Sequence, residues 1–453
     1  MSRTCDVVVL GMGPAGEEVA GRLAETGLSV VGVEAELLGG ECPYWACVPS
    51  KMILRAGNLL AEARRVPGMA GQSSVVPDWS PVAARIRDEA TTDWDDEIAV
   101  RRFTDKGGQF VRGHGRLTGP REVEVAGLTY HARRGVVVAT GSAPWIPPVE
   151  GLSDVPYWTN RDAVSAREAP GSLLVLGGGA VGVELAQGFA RFGTRVTVVE
   201  SAERLLPPEE PESGELLARV LEGEGLSVRT GARAASVRHD GHGFALVLEG
   251  GEELSAERLL VATGRRPRLD GLGLETAGLD SGARALRVDA HMRTEMPGVW
   301  AVGDVTDEGA FTHMAMYQAD IAVRSLLGAE GPGADYRAVP RVTFTDPEIG
   351  SVGMTERAAR EEGLSVRTGH AAVPSSARGW IHKAGNEGLV KLVADADRGV
   401  LVGATSAGPA GGEVLYGLTV AVRAEVPVAR LRDTIPAYPT FHRAVHDALT
   451  DLG

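Results

Sequence analysis

Two of the three cysteines in this 453-residue chain stand five positions apart, Cys42 and Cys47, inside the stretch GGECPYWACVPSK (Gly39 to Lys51). Thiols at that spacing can exchange electrons as a dithiol–disulfide couple, share a metal, or sit inert. In a reducing compartment a close pair points to redox or metal chemistry rather than to a structural staple. A metal centre needs more ligands, and no nearby Cys or His supplies them. The residues after Cys47 read as a helix, and a helix start lowers a thiol's pKa toward the reactive thiolate. The third cysteine, Cys5, lies in an apolar strand-like run and reads as a small buried hydrophobe.

The elements that must position this loop come just before it. Asp6 to Glu34, DVVVLGMGPAGEEVAGRLAETGLSVVGVE, is an apolar run, a G-x-G-x-x-G at Gly11, Gly13 and Gly16, a helix-period segment, a glycine turn and a second apolar run ending in Glu34. Ser172 to Glu200, SLLVLGGGAVGVELAQGFARFGTRVTVVE, repeats the pattern at Gly177, Gly179, Gly182 and Glu200, each shifted by 166 residues. A lone G-x-G-x-x-G says little. Two copies, each in a strand–helix–strand context with a terminal acid, predict two dinucleotide sites. The glycines allow a tight turn and close approach of a pyrophosphate. The helix N-terminus offers unpaired N–H groups and a positive dipole end. The carboxylate accepts from a ribose 2′-hydroxyl. Two Ala-Thr-Gly segments are duplicated as well: VVVATGSAP (Val136 to Pro144), with Thr140 and Gly141, and LLVATGRRP (Leu259 to Pro267), with Gly264. Each is expected to close a nucleotide-binding domain. WAVGDV (Trp300 to Val305) places Asp304 just past a strand, a position from which a carboxylate binds a cofactor hydroxyl.

The length predicts several domains rather than one core. With 46 basic against 60 acidic residues the net charge is -14, which argues against nucleic acid and anionic membranes as partners. No apolar stretch is long enough to span a bilayer. The opening MSRTCDVVVLGMGPAG does not read as a secretory leader, so the expected location is cytoplasmic.

Taken in order, these motifs resemble the class I pyridine nucleotide-disulfide oxidoreductases, the family of dihydrolipoamide dehydrogenase, glutathione reductase and mercuric reductase. GGECPYWACVPSK is similar to their redox-active disulfide motif. VTFTDPEIGSVGMTE (Val342 to Glu356) and LVGATSAGP (Leu401 to Pro409) are similar to their C-terminal dimerisation domain. The resemblance implies an α/β fold with two Rossmann-like dinucleotide-binding domains and a C-terminal α+β dimerisation domain. It places an FAD-binding domain at 1–148 and 271–336, an NAD(P)-binding domain at 149–270 and the interface domain of a homodimer at 337–453. It implies FAD in the first site, NAD(P)H in the second and a small-molecule electron acceptor. On this footing Cys42 and Cys47 form a disulfide, with Cys47 next to the flavin and Cys42 attacking substrate. Lys51 and Glu184 become an ion pair near the flavin's reactive nitrogen. Asp304 binds the ribityl chain. Backbone N–H groups at Thr312 and His313 face the flavin's pyrimidine edge, with the His313 side chain a bystander. Glu200 repels a 2′-phosphate, and ESAERLLPPEE (Glu200 to Glu210) offers only Arg204 as a basic group; NADH preference is expected.

The chain departs from the family where substrate is handled. Thiol-disulfide members carry a His-Pro-Thr segment from the partner subunit, with a Glu five residues after the His. Here PAYPTFHRAVHDAL (Pro436 to Leu449) puts Tyr438 and Arg443 at those positions. Tyrosine is a poor base at neutral pH, so the expected acceptor is not standard lipoamide but an unusual disulfide, a metal ion or a quinone. Alternatives are a dihydrolipoamide dehydrogenase with an altered acid–base site and a mercuric reductase-like enzyme without the C-terminal cysteine pair. A redox-dependent flavoprotein binding module is a third, but it needs neither an intact nicotinamide site nor a dithiol. His442 and His446, one helical turn apart, read as surface histidines on a helix. Tyr44 and Trp45 replace the small residues common between the cysteines; they either narrow access or pack against the dimer partner.

Overall fold

The strand Ser2–Leu10 shows why the polypeptide folds inward around its first motif. Val7, Val8, Val9 and Leu10 are all buried, so this half of the strand has no face to offer water and must be covered on both sides. Val7 and Val9 enter one core with Met12, Val19, Leu23 and Phe103. Val8 and Leu10 enter another with Val33, Leu117 and Tyr130. The computed structural model describes residues 2–453, in two compact units.

The first unit comprises Met1–Pro49, Ala84–Trp145 and Gly264–Asp335. Its sheet has seven strands. Ser2–Leu10 lies between Val30–Glu34 and Leu128–Val138, parallel to both, with Val7 opposite Val30 and Val8 opposite Val136. Gln109–Arg112 extends one edge, and Glu122–Val125 and Arg116–Gly119 extend the other. Val299–Ala301 also pairs in parallel with Leu128–Val138. The helices Pro14–Glu25 and Thr312–Leu327 share one core, through Val19 and Leu23 on the first and Ala319, Ala322 and Val323 on the second.

The second unit comprises Ser50–Ala83, Ile146–Thr263 and Tyr336–Gly453. It holds a four-stranded parallel sheet in the order Ser227–Arg229, Arg195–Val199, Ser172–Leu176, Arg258–Val261. Ala234–His239, Phe244–Leu248 and Glu253–Ala256 form an antiparallel three-stranded sheet. Residues from Pro340 onward build a five-stranded antiparallel sheet. The helices Gly411–Arg423 and His442–Asp451 pack on it through Leu415, Leu418, Ala448 and Leu449. The expected α/β architecture with an antiparallel C-terminal sheet is therefore present. No helix among the described residues is long and apolar enough to cross a membrane.

Candidate redox site and dinucleotide cradles

In the first unit the strand Ser2–Leu10 ends at Gly11, whose φ is +90. A Cβ there would run into the Ala139 carbonyl oxygen, and one on Gly16 would run into that of Gly11. Only glycine lets strand, turn and helix approach this closely. Gly13 caps the helix Pro14–Glu25, which has no side-chain cap. A Cβ on Gly13 would meet nothing nearer than the Gly40 Cα at 3.9 Å, so the helix N-terminus has room over it for a phosphate.

The second unit repeats this cradle. Gly177 has φ +113 and lies against the Ala262 carbonyl; Gly182 lies against that of Gly177. Gly179 caps the helix Ala180–Arg191 without a side-chain cap, and a Cβ on it would meet nothing within 4 Å. The two terminal acids also behave alike. Glu34 accepts the Met12 and Glu36 N–H groups, each at 2.8 Å. Glu200 accepts those of Gly178 and Ala202, at 2.6 and 2.7 Å. Each carboxylate thus braces its own glycine loop, a task the sequence pattern did not reveal. Lone pairs remain for a ribose hydroxyl. Arg204 is turned inward, donating to the Pro207 carbonyl at 2.9 Å and to that of Glu209 at 3.3 Å.

The stretches that end the two Ala-Thr-Gly segments meet within the first unit. Ser142–Pro144 pairs antiparallel with Arg265–Pro267, the Gly264 carbonyl accepts the Trp145 N–H at 2.9 Å, and the Thr140 hydroxyl donates to the Arg268 carbonyl at 2.8 Å. Gly141 takes φ +67. Asp304 lies on the turn Gly303–Thr306 and accepts the Ser142 hydroxyl at 2.6 Å. Arg265 donates to the same hydroxyl at 2.8 Å and pairs with Glu41, beside Cys42, at 3.6 Å.

Cys42 sits on the helical turn Glu41–Tyr44, and Cys47 opens the helix Cys47–Arg65. Both are half-buried. The Cys47 Sγ lies 3.4 Å from the Thr312 Oγ1, where the helix Thr312–Leu327 begins. Thr312 was singled out in sequence for its backbone; its hydroxyl is the group that reaches the sulfur. The His313 ring stacks on Phe311. Cys5 is buried, and burial pushes its thiol up to about 11, in keeping with an inert residue. Tyr44 is buried and Trp45 stacks on Trp94 of the same chain, with centroids 5.4 Å apart. The two bulky residues therefore have a packing partner inside their own chain, which the sequence reading did not foresee.

In the second unit Lys51 and Glu184 form an ion pair at 2.7 Å, with the Glu184 side chain only 6% exposed. The other Glu184 oxygen accepts the Phe344 N–H at 2.8 Å, and the Lys51 ammonium lies 4.6 Å from the Phe344 ring centroid. Phe344 stands in the quoted VTFTDPEIGSVGMTE, but nothing local assigns it this task. Tyr438 is 75% exposed. His442 is exposed. His446 corrects the surface reading: it is half-buried, and its Nδ1 is buried without a hydrogen-bond partner among the described residues.

Two matching dinucleotide cradles and a dithiol loop within one chain define a two-nucleotide oxidoreductase. The chain belongs to the pyridine nucleotide-disulphide oxidoreductase family: the family model matches residues 5–319, and its dimerisation-domain model matches 339–449. It is 37% identical to the dihydrolipoyl dehydrogenase of Thermus scotoductus over 99% of this chain and 98% of that one. It is 33% identical to the mercuric reductase of Bacillus cereus over 96% of this chain and 69% of that one. Among solved structures, the Cu(II) complex of the HOCl-induced flavoprotein disulfide reductase RclA from Escherichia coli superposes with a TM-score of 0.87 at 26% identity, covering 99% of both chains. The protein is an FAD-dependent NAD(P)H disulfide oxidoreductase.

Proposed function

We propose that this enzyme oxidises NADH and delivers the electron pair through a Cys42–Cys47 couple to an acceptor other than standard lipoamide: an unusual disulfide, a metal ion or a quinone. The observation that carries this reading is the Cys47 sulfur, at the start of its helix with the Thr312 hydroxyl 3.4 Å away. A helix start and a hydroxyl donor both favour negative charge on sulfur, the state in which a thiol exchanges. FAD, when bound, supplies the two-electron transfer between nicotinamide and disulfide that no side chain performs.

The residues take the following roles. Gly11, Gly13, Gly16 and Glu34 hold the FAD diphosphate and ribose, Thr140 and Gly141 line that site, and Asp304 holds the ribityl chain. Gly177, Gly179, Gly182 and Glu200 hold the nicotinamide nucleotide, with Gly264 bordering the two Ala-Thr-Gly turns. Reduction breaks the Cys42–Cys47 bond with uptake of two electrons and one proton, which goes to Cys42. Cys47 remains as the inner thiolate and Cys42 attacks the acceptor. Lys51, held by Glu184, sets a positive charge one helical turn beyond Cys47. The FAD-binding domain is 1–148 with 271–336, the NAD-binding domain 149–270 and the homodimer interface domain 337–453.

Two observations bear on substrates. Glu200 and the inward-turned Arg204 leave that loop ill-suited to a 2′-phosphate and favour NADH. Tyr438 stands where lipoamide-type relatives place a base, and tyrosine is a poor general base at neutral pH. Among the described residues no group of three or more His, Cys, Asp or Glu is placed to hold a metal, so a metal-ion acceptor meets the thiols as substrate. A second reading, dihydrolipoyl dehydrogenase with an altered acid–base group, is favoured by the 37% identity to such an enzyme over nearly its full length.

Anaerobic NADH titration of the holoenzyme, followed by an acceptor screen, tests both. Uptake of a second electron pair, lost in Cys47→Ser, supports the couple. Turnover with lipoamide, the oxidised disulfide, at the rate of the best acceptor would favour the second reading. Uptake of one pair only, unchanged by Cys47→Ser, overturns the couple.

A further inference from the structure

One segment of the first unit adopts an unfavourable backbone and has no part in the roles above. Ile86–Ala90 is a π-helical turn. Thr92, Asp93 and Trp94 then follow one another in the left-handed region, at φ 50, 56 and 59. Side-chain-bearing residues avoid that region singly, and three in succession are held there only when their surroundings insist. The buried Thr91 does part of the holding, its hydroxyl donating to the Ile86 and Arg87 carbonyls at 3.0 and 3.1 Å. The Asp93 N–H donates to the Arg87 carbonyl at 2.7 Å.

This turn makes two ties to the cysteine loop. Asp96, buried and paired with Arg112 at 2.6 Å, accepts the Leu38 N–H at 2.6 Å, where the loop begins. Trp94 donates its indole N–H to the Tyr44 carbonyl at 3.3 Å and stacks on Trp45, at 5.4 Å and 21°, where the loop ends. Cys42 lies between the two ties, and Cys47 two residues past the second.

We infer that Trp94 is a positioning residue for the redox couple: it pins Tyr44 and Trp45 so that Cys42 and Cys47 are held ready to bond, and thereby sets their thiol–disulfide equilibrium. The inference rests on the reading of Cys42 and Cys47 as that couple. Holding two groups together raises their effective concentration and favours the bond between them. Loosening the loop therefore favours the dithiol and makes the couple more oxidising.

The test equilibrates the holoenzyme, as wild type, Trp94→Ala and Trp94→Phe, with dithiothreitol at graded ratios of oxidised to reduced reagent. Reduction breaks the protein S–S bond and takes two electrons and two protons from dithiothreitol, whose two thiols close into its cyclic disulfide. After acid quenching, free thiols are alkylated with N-ethylmaleimide. The peptide carrying Cys42 and Cys47 is then weighed, which leaves Cys5 out of the count. Trp94→Ala is expected to shift the equilibrium about tenfold toward the dithiol, about 30 mV, and Trp94→Phe, which keeps a ring on Trp45, to restore most of it. The coupled-indole signal in far-ultraviolet circular dichroism should change on reduction in wild type and be missing from both variants. A folded Trp94→Ala protein with the wild-type midpoint overturns the role of Trp94. Should it not fold, Trp94→Leu, which keeps the bulk but not the indole, is held to the same criterion. A wild-type peptide that never forms the disulfide overturns the couple itself, a different outcome from an unshifted variant.

Discussion

The Thr312 hydroxyl lies 3.4 Å from the Cys47 sulfur, across 265 residues of sequence. A hydrogen bond to a charged group is worth about 1.5–3 kcal/mol, or roughly one to two pH units of thiolate stabilisation. Thr312→Val should raise the pH midpoint of the Cys47 thiolate in the two-electron-reduced enzyme by about that much, and Thr312→Ser should leave it near wild type. A pH titration of the thiolate absorption reads this directly.

Lys51 has its ammonium 2.7 Å from a Glu184 carboxylate that also holds the Phe344 N–H. Removing the lysine leaves a buried carboxylate with half its partners. Lys51→Ala is expected to slow flavin reduction by NADH about 10- to 100-fold, a barrier rise of about 1.4–2.7 kcal/mol. Stopped-flow absorbance decides it, and an unchanged rate would remove Lys51 from the site.

Glu200 supports its glycine loop through the Gly178 N–H and its own turn through the Ala202 N–H. Substituting it should therefore weaken NADH binding without creating NADPH preference. Wild type should favour NADH by about tenfold or more in kcat/KM, a difference of about 1.4 kcal/mol, and Glu200→Ala should lose activity with both nucleotides. A lower KM for NADPH than for NADH in the wild type would contradict the assignment.

Lys391 is 3% exposed and touches Glu210, Glu212 and Glu356 at 2.9, 2.8 and 3.0 Å. Burial alone would lower its pKa, but the hydrogen bonds to Glu212, Glu210 and Glu356 outweigh it and raise the lysine above its ordinary value. Glu356 is held low first by its bond to Lys391. In Glu212 burial works upward, but the Lys391 bond leads the effects that bring it below its usual range. The lysine's contribution is complete below its unfolded pKa of about 10.4 and fades as pH climbs through the higher folded value. The carboxylates' contribution is complete above about 4.3 and fades as pH falls toward their lower folded values. Lys391→Met should cost about 3 kcal/mol at neutral pH. Denaturation midpoints across pH should show a steady gap between about 5 and 10 that narrows on either side.

Cys5 offers a control. Its thiol is buried and pushed up to about 11, so native alkylation of the reduced enzyme at pH 8 should label the Cys42–Cys47 peptide and spare Cys5. Label on Cys5 under native conditions would show that its strand opens.

Much of the architecture was legible because its causes are local. Valine runs buried on both faces make parallel strands, and Gly11 and Gly177 mark turns that tolerate no side chain. The tasks given to Phe344, Trp94 and the Thr312 hydroxyl were not legible. Each acts on a partner at least 49 residues away, through ordinary backbone N–H, ring or hydroxyl groups that carry no spacing signal. His446 failed for a related reason: helical spacing places it on a helix, but packing decides which ring nitrogen is sealed from water.

The amino-acid order alone determined the two glycine cradles, their terminal acids and the close cysteine pair, because each is carried by residue types at a fixed short spacing. Tertiary structure decided that Glu34 and Glu200 brace their own loops, that Lys391 gathers three carboxylates and that a left-handed turn at Thr92–Trp94 grips the cysteine loop. Those arrangements depend on which distant surfaces are buried together. Burial of apolar area drives that choice without regard to sequence separation.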